Sequence, residues 1–168
     1  MFEIGEYVVC GNNGVCRVEG KGNLNITGVD KHRLYYFLKP IYGAGSTVYV
    51  PVDTDKILMR RVMSKEEAKE LLDSLGGMEL MEIRDEKTIE REYKELIQKN
   101  DSKEWGRLLK TIQYRKKKRN QKGSKITATD SKYYKIVGDR LYGELALVLD
   151  MDRQEVEKYV MKHMEALV

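Results

Sequence analysis

Apolar and polar residues follow two different periods along this chain, and the change falls at Ser64. Before it, short β-branched and aromatic runs are separated by glycine and asparagine. Glu6–Cys10 and Val15–Val18 flank Asn13-Gly14, a pair that favours a tight hairpin because both turn positions take positive φ. Gly20–Gly28 reads as a loop and His32–Leu38 as a third strand. Gly43-Ala44-Gly45 turns the chain into Ser46–Val52, where Pro51 ends the strand Thr47–Val50. Ile57–Val62 is the candidate fifth strand. Short strands at this spacing, punctuated by glycine, predict a small antiparallel barrel over residues 1–63.

From Ser64 onward the period is helical. Ser64-Lys65-Glu66-Glu67 is a capping-box pattern, in which the serine hydroxyl and the glutamate carboxylate satisfy first-turn amides. The helix it opens ends near Leu75, at Gly76-Gly77. A second, over Glu86–Asn100, places Ile89, Tyr93, Leu96 and Ile97 on one face. A third, capped by Asp101 or Ser102, buries Trp105, Leu108, Leu109 and Ile112. It ends at Gly123-Ser124. A fourth, capped by Thr127 or Thr129, aligns Tyr134, Val137, Leu141, Leu145 and Val148. The capping box Asp152–Glu155 opens a last helix with Val156, Val160, His163, Met164 and Leu167 inward. The expected architecture is α+β in two domains: a small antiparallel β-barrel over residues 1–63, then a compact all-α bundle of about five helices over 64–168.

Charge sharpens this picture. Between Lys103 and Lys135 stand twelve basic residues and two acids, Glu104 and Asp130, a local charge of +10 in a chain whose net is +4. The densest part is Thr111–Lys125, which carries Arg115, Lys116, Lys117, Lys118, Arg119, Lys122 and Lys125 and no acid. The helical segments on either side are acidic, and residues 1–63 carry only +2. One concentrated positive face beside acidic ones is what a protein needs to grip a polyanion in one orientation; a solvated lysine-rich helix end is the plainer alternative.

Catalytic patterns are missing. The glycines at 20–28 and 43–45 match neither a phosphate-binding loop nor a dinucleotide fingerprint. His32 falls in a strand run and His163 on a helix stripe, both far from Cys10 and Cys16 in sequence, which argues against a nucleophile–base pair or a metal site. No window approaches the ~20 apolar residues of a membrane span. The start MFEIGEYVV lacks the basic head and apolar run of a signal peptide. A cytoplasmic binding protein without cofactor, metal, membrane association or small-molecule substrate is expected.

Particular motifs carry a resemblance. Gly5-Glu6-Tyr7-Val8-Val9, Asn13-Gly14-Val15 and Thr47-Val48-Tyr49-Val50-Pro51 resemble the RNA-polymerase-interacting domain of the CarD/CdnL family, a module shared with the transcription-repair coupling factor. Arg91-Glu92-Tyr93-Lys94 and Leu141-Tyr142-Gly143-Glu144-Leu145-Ala146 resemble the helical domain of the same family. The motifs occur in family order over nearly the whole chain. The resemblance implies a bacterial, nucleoid-associated transcription regulator with a Tudor-like N-terminal barrel. That barrel would dock on the RNA polymerase β subunit, with Thr47, Val48, Tyr49, Val50 and Pro51 as the expected docking strand. The C-terminal helices would contact promoter duplex DNA, mainly backbone and minor groove, at the upstream edge of the melted bubble and stabilise the open complex.

The resemblance also implies residue roles. Arg91 and Lys94 match DNA-contacting positions. The basic run from Arg115 to Lys125, with Lys132, is expected to supply phosphate contacts. Many family members carry a tryptophan wedge just before the Arg-x-Tyr-Lys pattern; Ile89 stands there instead, either as an apolar wedge or as plain core. Trp105, the single tryptophan, lies in core phase on another helix. Two rival classes stay open: an RNA- or ribosome-associated protein using the basic helical patch, and a protein-interaction module whose basic run meets an acidic partner.

Overall fold

The structure, a computed structural model, describes residues 1–11, 13–42, 45–54 and 59–165. The expected turn at Gly43-Ala44, the start of the fifth strand at Ile57-Leu58 and the inward Leu167 lie outside the described residues. The chain divides into two units, Met1–Val62 and Met63–Val168.

The first unit is one antiparallel sheet of β1 (Tyr7–Cys10), β2 (Gly14–Asn23), β3 (Leu34–Pro40), β4 (Val48–Pro51) and β5 (Met59–Arg61), in the order β4-β3-β2-β1-β5. β4 and β5 are its two ends, so the pairing among the described residues forms an open sheet where sequence suggested a closed barrel. Alternation selects the core: Val8, Cys10, Cys16, Val18, Tyr36, Leu38 and Val50 are buried together. Each fully buried aliphatic side chain of this kind contributes about 1.5–3 kcal/mol. Both cysteines are buried members of that core.

Two local expectations change. Gly14 alone takes the left-handed conformation (φ 72°) and already pairs with Cys10, so the turn lies between those residues and is longer than a two-residue hairpin. β2 also runs on through Gly20 and Gly22 instead of ending as a loop. The reason is the aromatic ring across the ladder: a Cβ on either glycine would meet Phe37 at 3.2 Å. A register shift between Val18 and Gly20 leaves Glu19 as the extra residue of a bulge.

The second unit holds α1 (Lys65–Ser74), α2 (Ile89–Gln98), α3 (Ser102–Gln121), α4 (Ala128–Leu149) and α5 (Arg153–Glu165). Ser64 and Glu67 form the reciprocal capping box. Asp101 caps α3 and Thr127 caps α4, each side chain accepting a first-turn N–H. Trp105, Leu108, Leu109 and Ile112 of α3 are fully buried, as are Val137, Leu141 and Leu145 of α4. Trp105 donates its indole N–H to the carbonyl of Ile97 at 3.2 Å. On α4 it is Tyr133 that is buried, whereas Tyr134 and Val148 are half-buried. Gly106 lets α1 close on α3, since a Cβ there would stand 2.9 Å from Leu75 Cδ2.

Candidate nucleic-acid interface

The cations of α3 do two different jobs, decided by helical phase. On the face toward the connector between α1 and α2, Lys110 Nζ donates to the carbonyls of Gly76 (2.8 Å) and Met78 (2.7 Å), and Arg107 Nε to that of Glu79 (3.3 Å). Thr111 Oγ1 accepts the Met81 N–H at 3.0 Å. Those side chains replace helical hydrogen bonds along an irregular segment, and their charge is committed to holding it.

Arg115 is also committed, which corrects its assignment as a DNA contact. Its Nε donates to Asp130 Oδ2 at 2.8 Å and its terminal nitrogen to Glu86 Oε1 at 2.9 Å, with only 18% of the side chain exposed. Asp130 is fully buried, and its other oxygen accepts the Tyr93 hydroxyl at 2.7 Å. Burial lowers the Arg115 pKa, and its hydrogen bonds to Asp130 and Glu86 raise it; the net shift is upward. Burial first, and the Asp130 hydrogen bond second, push the Tyr93 hydroxyl far up. The network ties α2, α3, α4 and the preceding connector into one body.

Ile89 is corrected as well. It is 5% exposed and packs in the same core face as Tyr93, Leu96 and Ile97, so it is not a wedge available to a groove. Its neighbours Arg91 and Lys94 are exposed and face solvent in i,i+4 ion pairs, Arg91–Glu95 at 3.8 Å and Lys94–Glu90 at 3.7 Å. Glu90 is a shared acceptor. It takes the Tyr133 hydroxyl at 2.8 Å and lies 3.5 Å from Lys132 Nζ, which also sits 5.3 Å over the Tyr133 ring. The Tyr133 hydrogen bond, ahead of Lys94 and Lys132, lowers the Glu90 pKa. Exposed pairs like these contribute little in water, so a phosphate could displace any of them.

What the structure does bring together is the projecting end of α3. Beyond Ile112 no residue of α3 is buried. Here stand Lys116, Lys117, Lys118 and Arg119, followed by Lys122 and Lys125 just past the helix, with no carboxylate between Trp105 and Thr129. Lys116, Lys117, Lys122 and Lys125 have no side-chain partner among the described residues. Gly123, at φ 79°, closes the helix, with Ser124 N–H donating to the Arg119 carbonyl at 2.8 Å. Arg119 Nε donates to the Lys125 carbonyl at 2.8 Å and so holds the turn. Cations in the last turn also face the negative end of the helix dipole. Sequence reasoning passed over Tyr114, 46% exposed, whose ring lies 5.5 Å under Lys118 Nζ. An aromatic residue off the core phase and inside a basic run was the available signal.

In the sheet unit the expected docking strand divides by face. Val50 is buried in the core and Val48 packs against it, while Tyr49, 45% exposed, leans edge-on to Phe37 with ring centroids 5.3 Å apart. Thr47 is exposed and precedes the strand; Pro51 is its last residue, paired with Tyr35. β4 pairs only with β3 among the described residues, so its other backbone edge carries no strand. Among those residues no cluster of His, Cys, Asp and Glu could hold a metal ion, and no helix is long and apolar enough to cross a membrane.

Fold and surfaces together define an α+β chain of two units, one offering a sheet edge and exposed aromatics, the other a rigid cationic helix end. Comparison with family models makes the first unit specific: residues 2–63 match the CarD-like/TRCF RID domain. The match ends where the helical unit begins. No curated protein matches the chain.

Proposed function

We propose that this protein is a non-enzymatic regulator of transcription that joins RNA polymerase to promoter DNA. The family match of residues 2–63 carries the reading. The bulged sheet is read as a Tudor-like barrel that docks on the β subunit. The open edge of β4, with Thr47, Tyr49 and Pro51 along it, is suited to take a partner strand by main-chain hydrogen bonds. The cationic end of α3 supplies phosphate contacts to duplex DNA through Lys116, Lys117, Lys118, Arg119, Lys122 and Lys125. Arg91, Lys94 and Lys132 form a secondary, ion-paired surface. Placement at the upstream edge of the bubble, stabilisation of the open complex and nucleoid association follow from the resemblance of the helical unit. With Ile89 in the core, backbone electrostatics rather than a wedge carries the DNA contact, and weak intrinsic affinity suffices once docking raises the effective concentration.

Two measurements on the full chain test this. Tyr49→Asp should abolish co-purification with RNA polymerase while leaving the fold intact by circular dichroism. Duplex affinity against salt should give a log–log slope of roughly −4 to −5 for ~4–6 phosphate contacts. A chain that binds neither polymerase nor duplex at low salt refutes the proposal; a preference for A-form RNA would redirect it to an RNA-associated role.

A further inference from the structure

Between the projecting end of α3 and α5 lies a groove of about 390 Å³. Its α3 wall is built from Gln113, Tyr114, Lys117, Lys118 and Gln121, and Met164 stands on the opposite side. Those α3 positions recur at three- and four-residue intervals, so they share one face, distinct from the face of Trp105, Leu108, Leu109 and Ile112. Lys110 closes one end of the same wall. Its Nζ is fixed on the carbonyls of Gly76 and Met78. One carboxylate, Glu165, faces these three lysines.

We infer that this groove binds an unpaired nucleotide of a single-stranded nucleic acid. The inference rests on reading the α3 end as a nucleic-acid surface and adds single-strand recognition to it. Three features converge. Tyr114 presents a half-exposed ring at a place where the core does not need it, and bases stack on such rings regardless of sequence. The two glutamine amides each offer donors and an acceptor, the chemistry of a base edge. Lys117 and Lys118 stand where the phosphates flanking a stacked base would run, and Lys118 over the Tyr114 ring shows the ring already engaged by a cation. In a duplex the base faces are covered, so the ring would have nothing to stack on. An acidic peptide would satisfy the lysines and leave the aromatic and amide groups without a role.

The test uses the full chain with three fluorescent probes: a 12-mer of thymidylate, a mixed-sequence duplex of the same charge, and an oligoglutamate peptide. Tyr114→Ala should weaken binding of the single strand by about 5- to 100-fold, as expected for one lost stacked base. Tyr114→Phe should keep the affinity, and duplex affinity should stay within about twofold for both variants. A single strand containing 2-aminopurine should lose fluorescence on binding wild type, through stacking, and not on binding Tyr114→Ala. Unchanged single-strand affinity in Tyr114→Ala overturns the inference, as does an equal loss on duplex. Tyr114-dependent binding of oligoglutamate overturns it in favour of a protein partner. Duplex binding without single-strand binding sinks this inference alone; binding of neither nucleic acid sinks it together with the proposed function.

Discussion

Replacing Arg115 by leucine should unfold more than it unbinds. The substitution leaves Asp130, fully buried, with the Tyr93 hydroxyl and no cation. Removing one partner of a buried ion pair costs about 3–5 kcal/mol. The second limb, to Glu86, lies largely in water and adds about 0–1 kcal/mol. Because 18% of the Arg115 side chain is exposed, the lower end applies, about 3 kcal/mol. For a domain near a hundred residues this lowers Tm by about 12–24 °C. The assay is far-ultraviolet circular dichroism against temperature, followed by duplex binding well below the new midpoint. Duplex affinity there should match wild type within about twofold, since Arg115 faces inward. Adding Asp130→Asn to the leucine variant should restore part of the loss by removing the stranded charge. A midpoint within about 4 °C of wild type, or a duplex defect as large as that of Lys117→Gln, would refute the assignment of Arg115 to the interior.

Three further outcomes follow from the same geometry. Ile89→Ala should cost about 2–5 kcal/mol in urea unfolding, with no loss of duplex affinity in the folded protein; a selective binding defect would restore the wedge. Each of Lys116→Gln, Lys117→Gln and Lys122→Gln should flatten the log–log salt slope by about one, uniformly across sequences, whereas Lys110→Gln should leave the slope alone and lower stability instead. On the alkaline side, burial and then the Glu90 hydrogen bond push the Tyr133 hydroxyl up to about 12. Its unfolded value is about 10, so the folded state holds the proton more tightly. That stability is complete below pH about 10 and is lost as pH rises toward about 12, which a series of melts with tyrosinate absorbance would record. Tyrosinate signal appearing at full amplitude near pH 10 without unfolding would contradict it.

Much of the architecture was legible because its signals are local. Capping residues at Ser64, Asp101 and Thr127 mark helix starts, and 3.6-residue stripes on α2 and α3 mark their buried faces. The extension of β2 was not legible. Gly20 and Gly22 look like loop residues until Phe37, seventeen positions beyond Gly20, is seen lying over them. The site residues are hard to read for a related reason. A basic run announces its charge but not which members turn inward, and Arg115 is spent on Asp130 fifteen residues away. Ile89 satisfied two readings in sequence, and only its burial separates them. Tyr114 hid in plain view, since its meaning depends on the α5 wall opposite.

The closure of α3 at Gly123 has a thermodynamic consequence. Nine residues of the helix run past its last buried side chain, about 13 Å of rod at 1.5 Å per residue. Inward pairing of Arg115 and the Arg119–Lys125 bond fasten that rod at both ends, so its lysines are displayed on a finished scaffold. A basic tail of the same composition would have to order itself on a polyanion and would lose entropy in doing so. Here, association should proceed with no gain in helicity and only a small heat-capacity change, and its strength should respond to ionic conditions rather than to temperature.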